Sequence, residues 1–255
     1  YTEITPEKTA MDGSQAKNLK HNIVYEDLRD YIEEVDKLGE LRRIDGASCD
    51  EDIGLATELL QHSETAPCAL FDEIPGYPKG YRLFTNFFGG RRQNITLGFS
   101  PNLNKFELSQ AFNASFKEII QNPLPYEIVK TGPVMDNVME GDEVNVLSFP
   151  TPLWHAGDGG RYIGTGSFNV TRDPVENWVN VGTYRVMVHD KRTVGFYISP
   201  GKHGRIHRQK YLGDNQPMPV CVVVGIDPLS FLMSSTEIPY GICEYDVMGA
   251  YRGKP

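Results

Sequence analysis

Pro123 and Pro125 stand two residues apart at a point where the hydrophobic period of the sequence changes, and this change constrains the fold more than any other feature. Proline lacks the backbone N–H and clashes with the preceding turn, so two of them end a helix and suit a linker. Upstream, apolar residues recur at helical spacing in three places. These are Leu28, Tyr31, Ile32, Val35 and Leu38; then Ile53, Ala56, Leu59 and Leu60; then Leu108, Phe112, Phe116, Ile119 and Ile120. Gly39 is placed to stop the first helix, and Asp50 to cap the second. Residues 40–44, 69–74 and 81–86 read as strands, the last two separated by a turn rich in proline and glycine (residues 75–80). Downstream the helical period fades into short strand-like runs at residues 144–149, 162–171, 179–189, 193–198 and 220–226. The expected fold is therefore α+β, with an α/β domain over residues 23–121 and a β-barrel or strongly curved sheet over residues 126–255. Residues 1–22 are polar and read as a loose tail.

Charge and cysteine content narrow the function classes. With 25 basic and 34 acidic residues the net charge is −9, which argues against a general nucleic-acid binder. A basic patch over residues 202–210 survives in this acidic background and suits one anion such as a phosphate, or is a solvated turn. No apolar run approaches ~20 residues, so no membrane span is expected, and residues 1–22 lack an apolar signal core. Cys49, Cys68, Cys221 and Cys243 are dispersed without a Cys-x-x-Cys pair. That reads as reduced thiols in a cytoplasmic protein rather than a zinc ribbon.

Candidate chemistry concentrates in residues 178–207, two strands around a charged turn followed by a glycine-flanked histidine. Asn180, Arg185 and His203 are polar groups set into this apolar hairpin, as expected where a sheet edge holds a metal and an anion. The glycines at 157, 159 and 160 precede a strand, whereas a phosphate loop follows a strand and opens a helix, so a bulged turn is favoured there. His203 and His207 have the spacing of paired zinc ligands, but Pro200, Gly201 and Gly204 argue against a regular helix, and there is no His-Glu-x-x-His pattern. His155 and His189 read as turn or surface residues. Asn180, His203 and Glu244 together offer an amide, an imidazole and a carboxylate, a set suited to Mn or Mg with phosphate or water completing the shell. The same three residues also admit a structural reading, with Asn180 pairing at a sheet edge and Glu244 on the surface.

Several ordered motifs resemble one family. Asn180, Arg185 and the run from Met187 to Lys191 are followed by Pro200, Gly201, Lys202 and His203, then by Ser234, Ser235, Pro239, Gly241 and Glu244. At these spacings they are similar to the UbiD decarboxylases, which use prenylated FMN, and Leu28 to Tyr31 with Leu38 to Leu41 resemble that family's entry segment. The resemblance implies a split β-barrel flavin domain over residues 126–255, incomplete because the family's C-terminal domain and catalytic glutamates lie farther along than residue 255. It implies that Asn180, His203 and Glu244 hold a divalent metal, Mn2+ or Mg2+, which clamps the flavin phosphate. Ser234 and Ser235 match the site of a monovalent cation, K+ or Na+, near that phosphate. Thr183, Tyr184 and Lys202 belong to the same cofactor segments. Arg185 matches a catalytic arginine beside the flavin ring.

The implied reaction is a reversible, non-oxidative decarboxylation of an aromatic or α,β-unsaturated acid, with the flavin as electron sink and a glutamic acid returning a proton. A flavin prenyltransferase would supply the cofactor, and the family commonly forms homo-oligomers. The alternative is a non-catalytic flavin- or phosphate-binding module, or a subunit of a larger carboxylase assembly. One geometric demand follows. Asn180 and Arg185 are five residues apart and would face opposite sides of a regular strand, so serving one cofactor calls for a bulge or sharp twist near Gly182.

Overall fold

The computed structural model describes residues 13–255. Its elements are α1 (Gly13–Ala16), α2 (Leu28–Lys37), β1 (Leu41–Asp45), α3 (Asp52–Gln61), β2 (Cys68–Asp72), β3 (Leu83–Thr85), α4 (Gly90–Thr96) and α5 (Lys105–Gln121). Three short 3-10 turns lead to β4 (Arg161–Gly164), β5 (Phe168–Arg172), β6 (Val179–Gly182), β7 (Arg185–Val188) and β8 (Val194–Tyr197). The chain closes with α6 (His203–Gly213), β9 (Cys221–Val223), α7 (Pro228–Ser235) and α8 (Glu244–Arg252).

The first helix forms where its periodicity predicts. Asp27 caps α2 by accepting from the Arg29 and Asp30 N–H groups, and Gly39 takes the left-handed φ of +76° that ends it. β1 and β2 run parallel, a pairing that needs a crossover, and α3 supplies it. Side chains of β2 alternate between two apolar clusters: Cys68 and Leu70 join the main core, while Ala69 and Phe71 meet Ile53, Ala47 and Ile74 on the other face. The main core is continuous across residues 122–125. It brings Tyr31 and Val35 of α2 and Leu108 and Ala111 of α5 together with Val181 of β6, Leu229 and Met233 of α7, and Val247 and Tyr251 of α8.

The architecture is thus mixed α+β, with three-stranded sheets ordered β1-β2-β3, β4-β7-β8 and β6-β5-β9. The split barrel expected over residues 126–255 is not seen as a closed barrel. The chain instead crosses between the second and third sheets three times, at residues 165–167, at Thr183 and Tyr184, and through α6 between β8 and β9, so strands close in sequence pair in different sheets.

Other expectations are corrected locally. Residues 144–149 form no strand; a 3-10 turn occupies Val146–Ser148, and Val144, Leu147 and Phe149 are exposed. Asp50 does not cap α3, because its carboxylate pairs with Arg161 and the helix begins at Asp52. Pro200, Gly201 and Gly204 do not prevent a helix, since α6 starts at His203 and runs through His207. The tail expected over residues 1–22 lies outside the described residues up to residue 12. Within the described part of that range, Ala16 is buried and the His21 ring stacks on Tyr251 at 4.1 Å. Among the described residues no helix is long and apolar enough to cross a membrane.

Candidate functional site

A cavity of about 300 Å3 lies where β6, the α6 and α8 N-termini and the end of α7 meet. Asn180, Thr183, Tyr184, Lys202, His203, Ser234, Ser235 and Glu244 all line it, together with Val181, Gly182, Gly201, Thr236, Glu237 and Ile238. Eight of the nine residues expected to bind cofactor are therefore brought to one place. The ninth, Arg185, begins β7 and does not line the cavity; its exposed guanidinium lies over the Tyr162 ring, 5.7 Å from the centroid. The break at Thr183 and Tyr184 separates Asn180 from Arg185 more sharply than a bulge would, since β6 and β7 lie in different sheets.

Local structure explains why these side chains converge. Glu244 is the first residue of α8 and is 3% exposed, and its Oε2 accepts the Val181 N–H at 2.6 Å. The surface reading of Glu244 is thereby excluded. Burial pushes its carboxyl pKa up to about 7, partly opposed by that N–H. His203 opens α6 half-buried between aromatic rings, with Trp178 at 5.0 Å and Tyr240 at 5.6 Å. Burial, and then the neighbouring Lys202 charge, lower its pKa, which favours the neutral imidazole that a metal needs.

The Asn180 amide is buried, and its Nδ2 donates to Thr171 Oγ1 and to the Tyr184 hydroxyl, both at 3.1 Å. Tyr184 also accepts the Gly204 N–H at 3.1 Å. Two glycines make room for this phenol: a Cβ on Gly182 would fall 2.5 Å from its oxygen, and one on Gly204 2.7 Å. Gly204→Ala is accordingly expected to destabilise the fold by about 1–3 kcal/mol, the usual range for overpacking. Thermal unfolding should show a Tm lowered by several degrees, and an unchanged Tm would contradict this packing.

The electrostatics suit an anion beside a cation. The first residues of two helices line the cavity, Lys202 and His203 for α6 and Glu244 for α8, so N-terminal partial positive charges add to the Lys202 ammonium. Lys202 also faces Glu237, 3.5 Å away at an exposed position. At the end of α7 the Ser234 and Ser235 hydroxyls both donate to the Phe231 carbonyl, and the Ser234 carbonyl accepts the Thr183 N–H at 3.2 Å.

A divalent cation fits the residues present. Glu244 is a buried carboxylate that accepts a backbone N–H, and among the described residues no ion pair holds it. Removing such a charge from water without a counter-charge is costly. Among the described residues no group of three or more His, Cys, Asp and Glu is assembled for a metal. A cation here would rest on one carboxylate, one imidazole and one amide, and would need oxygens from a ligand or water to complete its shell.

Behind this wall, sequence reasoning missed Thr171 and Asp173 and weighed His207 only as a zinc ligand. His207 is fully buried one turn after His203, with its Nδ1 3.0 Å from Thr171 Oγ1. Asp173 is buried beside it and bonded to Lys210 at 2.5 Å. A polar run at the end of a hairpin gives little warning of such burial.

Comparison with known proteins gives a consistent set of relatives. Residues 127–255 match the family model described as UbiD, 3-octaprenyl-4-hydroxybenzoate carboxy-lyase Rift-related domain. A phenolic acid decarboxylase of Sedimentibacter hydroxybenzoicus is 30% identical over 238 residues, which are 89% of this chain and 48% of that protein. The vanillic acid decarboxylase structure from the same organism, in closed form, has a TM-score of 0.79 and 29% identity, covering 90% of this chain and 49% of the other. An evolved dimeric form of the UbiD-class enzyme HmfF from Pelotomaculum thermopropionicum, solved with prFMN, shares the fold at a TM-score of 0.77 and 21% identity, covering 91% and 51%. The chain spans about half the length of the relatives it matches.

Proposed function

The chain belongs to the UbiD family, and on that premise we propose that it carries the cofactor-phosphate site of a prenylated-FMN-dependent decarboxylase. The whole polypeptide would act reversibly and non-oxidatively on an aromatic or α,β-unsaturated carboxylic acid. The observation that carries this reading is the cavity lined by Asn180, His203, Glu244, Lys202, Ser234 and Ser235. The phenolic and vanillic acid decarboxylases similar to it support an aromatic substrate.

Each group would have a physical task. Asn180, His203 and Glu244 hold Mn2+ or Mg2+, whose charge compensates the buried Glu244 carboxylate and neutralises a bound phosphate. Lys202 and the α6 N-terminus add positive potential at the same end. Ser234, Ser235 and the carbonyls at the end of α7 offer oxygens to K+ or Na+. When bound, prenylated FMN supplies the electron sink for the leaving carboxylate's electrons. Arg185, exposed and outside the phosphate cavity, would hold the substrate carboxylate by paired charge-assisted hydrogen bonds. A homo-oligomer, and a flavin prenyltransferase as cofactor supplier, are part of the same reading.

The test is the full-length protein produced together with a flavin prenyltransferase. It is expected to purify with prenylated flavin and a divalent metal, and to release CO2 from members of a panel of aromatic acids. Flavin-free protein inert across the panel would overturn the reading.

A further inference from the structure

Two hydroxyls receive the Asn180 amide, and a hydroxyl can either donate or accept. Thr171 and Tyr184 taken alone are therefore compatible with either orientation of the amide. The orientation matters because, on the reading above, the oxygen must face the cation while the N–H groups face away. What decides it lies one layer deeper. Thr171 stands directly opposite Asn180 in the β5–β6 ladder, and its Oγ1 is also 3.0 Å from His207 Nδ1. The threonine has one proton to give. If His207 Nδ1 is bare, that proton goes to the ring, and Thr171 can only accept from Asn180 Nδ2. If Nδ1 carries hydrogen, Thr171 accepts from the ring and its proton is free to hold Asn180 Oδ1, turning the N–H groups toward the cavity.

Asp173 selects between these states. Its Oδ2 lies 3.7 Å from His207 Nε2, and both side chains are fully buried. That distance is too long for a good hydrogen bond, and among the described residues Nε2 has no hydrogen-bond partner. A carboxylate at this range still repels a ring lone pair and attracts a ring N–H. The carboxylate stays charged. Burial alone would raise its pKa, but the Lys210 ammonium and the N–H groups of Glu176 and Val175 outweigh it and bring the value to about 2. Burial keeps His207 neutral by lowering its pKa, against the pull of Asp173. One tautomer results, with hydrogen on Nε2 and none on Nδ1.

We propose that His207 is a positioning residue: oriented by Asp173, it sets through Thr171 the direction in which the Asn180 amide faces. The proton order then runs one way, from Asn180 Nδ2–H to Thr171 and from the Thr171 hydroxyl to His207 Nδ1, leaving Asn180 Oδ1 for the cavity. Tyr184 reinforces this order as the second acceptor of Nδ2, with its position fixed by the Gly204 N–H. Trp178, edge-on to His207 at 5.1 Å and to His203 at 5.0 Å, packs both imidazoles of α6. The inference rests on Asn180 being a metal donor, and its test separates the two claims.

Mn2+ is titrated into metal-stripped, full-length protein with excess FMN, and free Mn2+ is read by electron paramagnetic resonance. Thr171→Val keeps the side-chain shape and removes the hydroxyl; it is expected to weaken Mn2+ binding by about 10–100-fold, the scale for losing a partner of a metal ligand. Thr171→Ser restores the hydroxyl and should bring affinity back to within about threefold of the native protein. Native affinity in Thr171→Val, while His203→Ala loses the metal, would overturn the positioning role and leave the metal site standing. Native affinity in His203→Ala would overturn the metal site and this inference with it. A second measurement does not depend on any variant binding metal. In 15N-histidine NMR spectra, the His207 signals, assigned by their loss in His207→Phe, should show a bare Nδ1 and a protonated Nε2; the reverse tautomer would overturn the proposal.

Discussion

Full-length protein carrying His203→Ala is expected to fold normally and to purify without its flavin. The imidazole is half-buried at the first position of α6 and makes no side-chain hydrogen bond among the described residues, so its loss should cost no more than about 1 kcal/mol of stability. Its effect on ligand binding should be far larger. A cation resting on one carboxylate, one imidazole and one amide loses a third of its protein donors. With the metal gone, the Glu244 carboxylate is left at the cavity wall, where its charge opposes that of a phosphate. Loss of affinity should exceed the 10–100-fold typical of residues that only support a ligand. Flavin absorbance and metal content of the purified protein measure the effect, and normal retention of both would remove His203 from the proposed clamp.

Arg185→Ala should behave in the opposite way, keeping the flavin and losing turnover. Arg185 does not line the phosphate cavity, and its guanidinium lies over the Tyr162 ring, with no ion pair among the described residues. On the proposed reading, cofactor-phosphate binding does not depend on it. If it holds the substrate carboxylate as charge redistributes, its removal should slow CO2 release by about 100-fold or more, the scale for losing one transition-state donor. Arg185→Lys keeps the charge but not the planar fork, so it should recover only part of the rate. Steady-state CO2 release at matched flavin occupancy decides the matter. A variant that loses its flavin, or keeps native turnover, contradicts the separation of roles.

Parts of this fold were legible because burial there follows apolar period. The stripe from Leu28 to Leu38 and that from Leu108 to Ile120 became α2 and α5, and the charged turn near Asp190 became the β7–β8 hairpin. Where polar residues are buried, the signal fails. α4 reads Gly-Arg-Arg-Gln-Asn-Ile-Thr and was not anticipated, yet Arg92, Asn94 and Thr96 are buried in it. Hydrogen bonds make this possible: Arg92 pairs with Glu40 at 2.6 Å, and Asn94 donates to the Ser100 and Leu103 carbonyls.

The sheet-to-sheet crossings were also hidden. One apolar run covers residues 162–171 and another covers 179–189, but pairing partners, not composition, decide that each is divided between two sheets. At the site, motif spacing identified the residues that face the cavity. It gave no sign of Thr171 and Asp173, and marked His207 only by zinc-ligand spacing; the roles of all three depend on what lies across a ladder and beneath a helix.

The central claim is that Asn180, His203 and Glu244 form one metal clamp for a flavin phosphate. Diffraction from the flavin-loaded, Mn2+-bound full-length protein, recorded at the manganese absorption edge, tests it most directly. The expected result is an anomalous peak between Asn180 Oδ1, the His203 imidazole and the Glu244 carboxylate, with a phosphate oxygen in the remaining shell. A flavin-bound structure with manganese elsewhere, or with the phosphate seated away from these three side chains, would contradict the account.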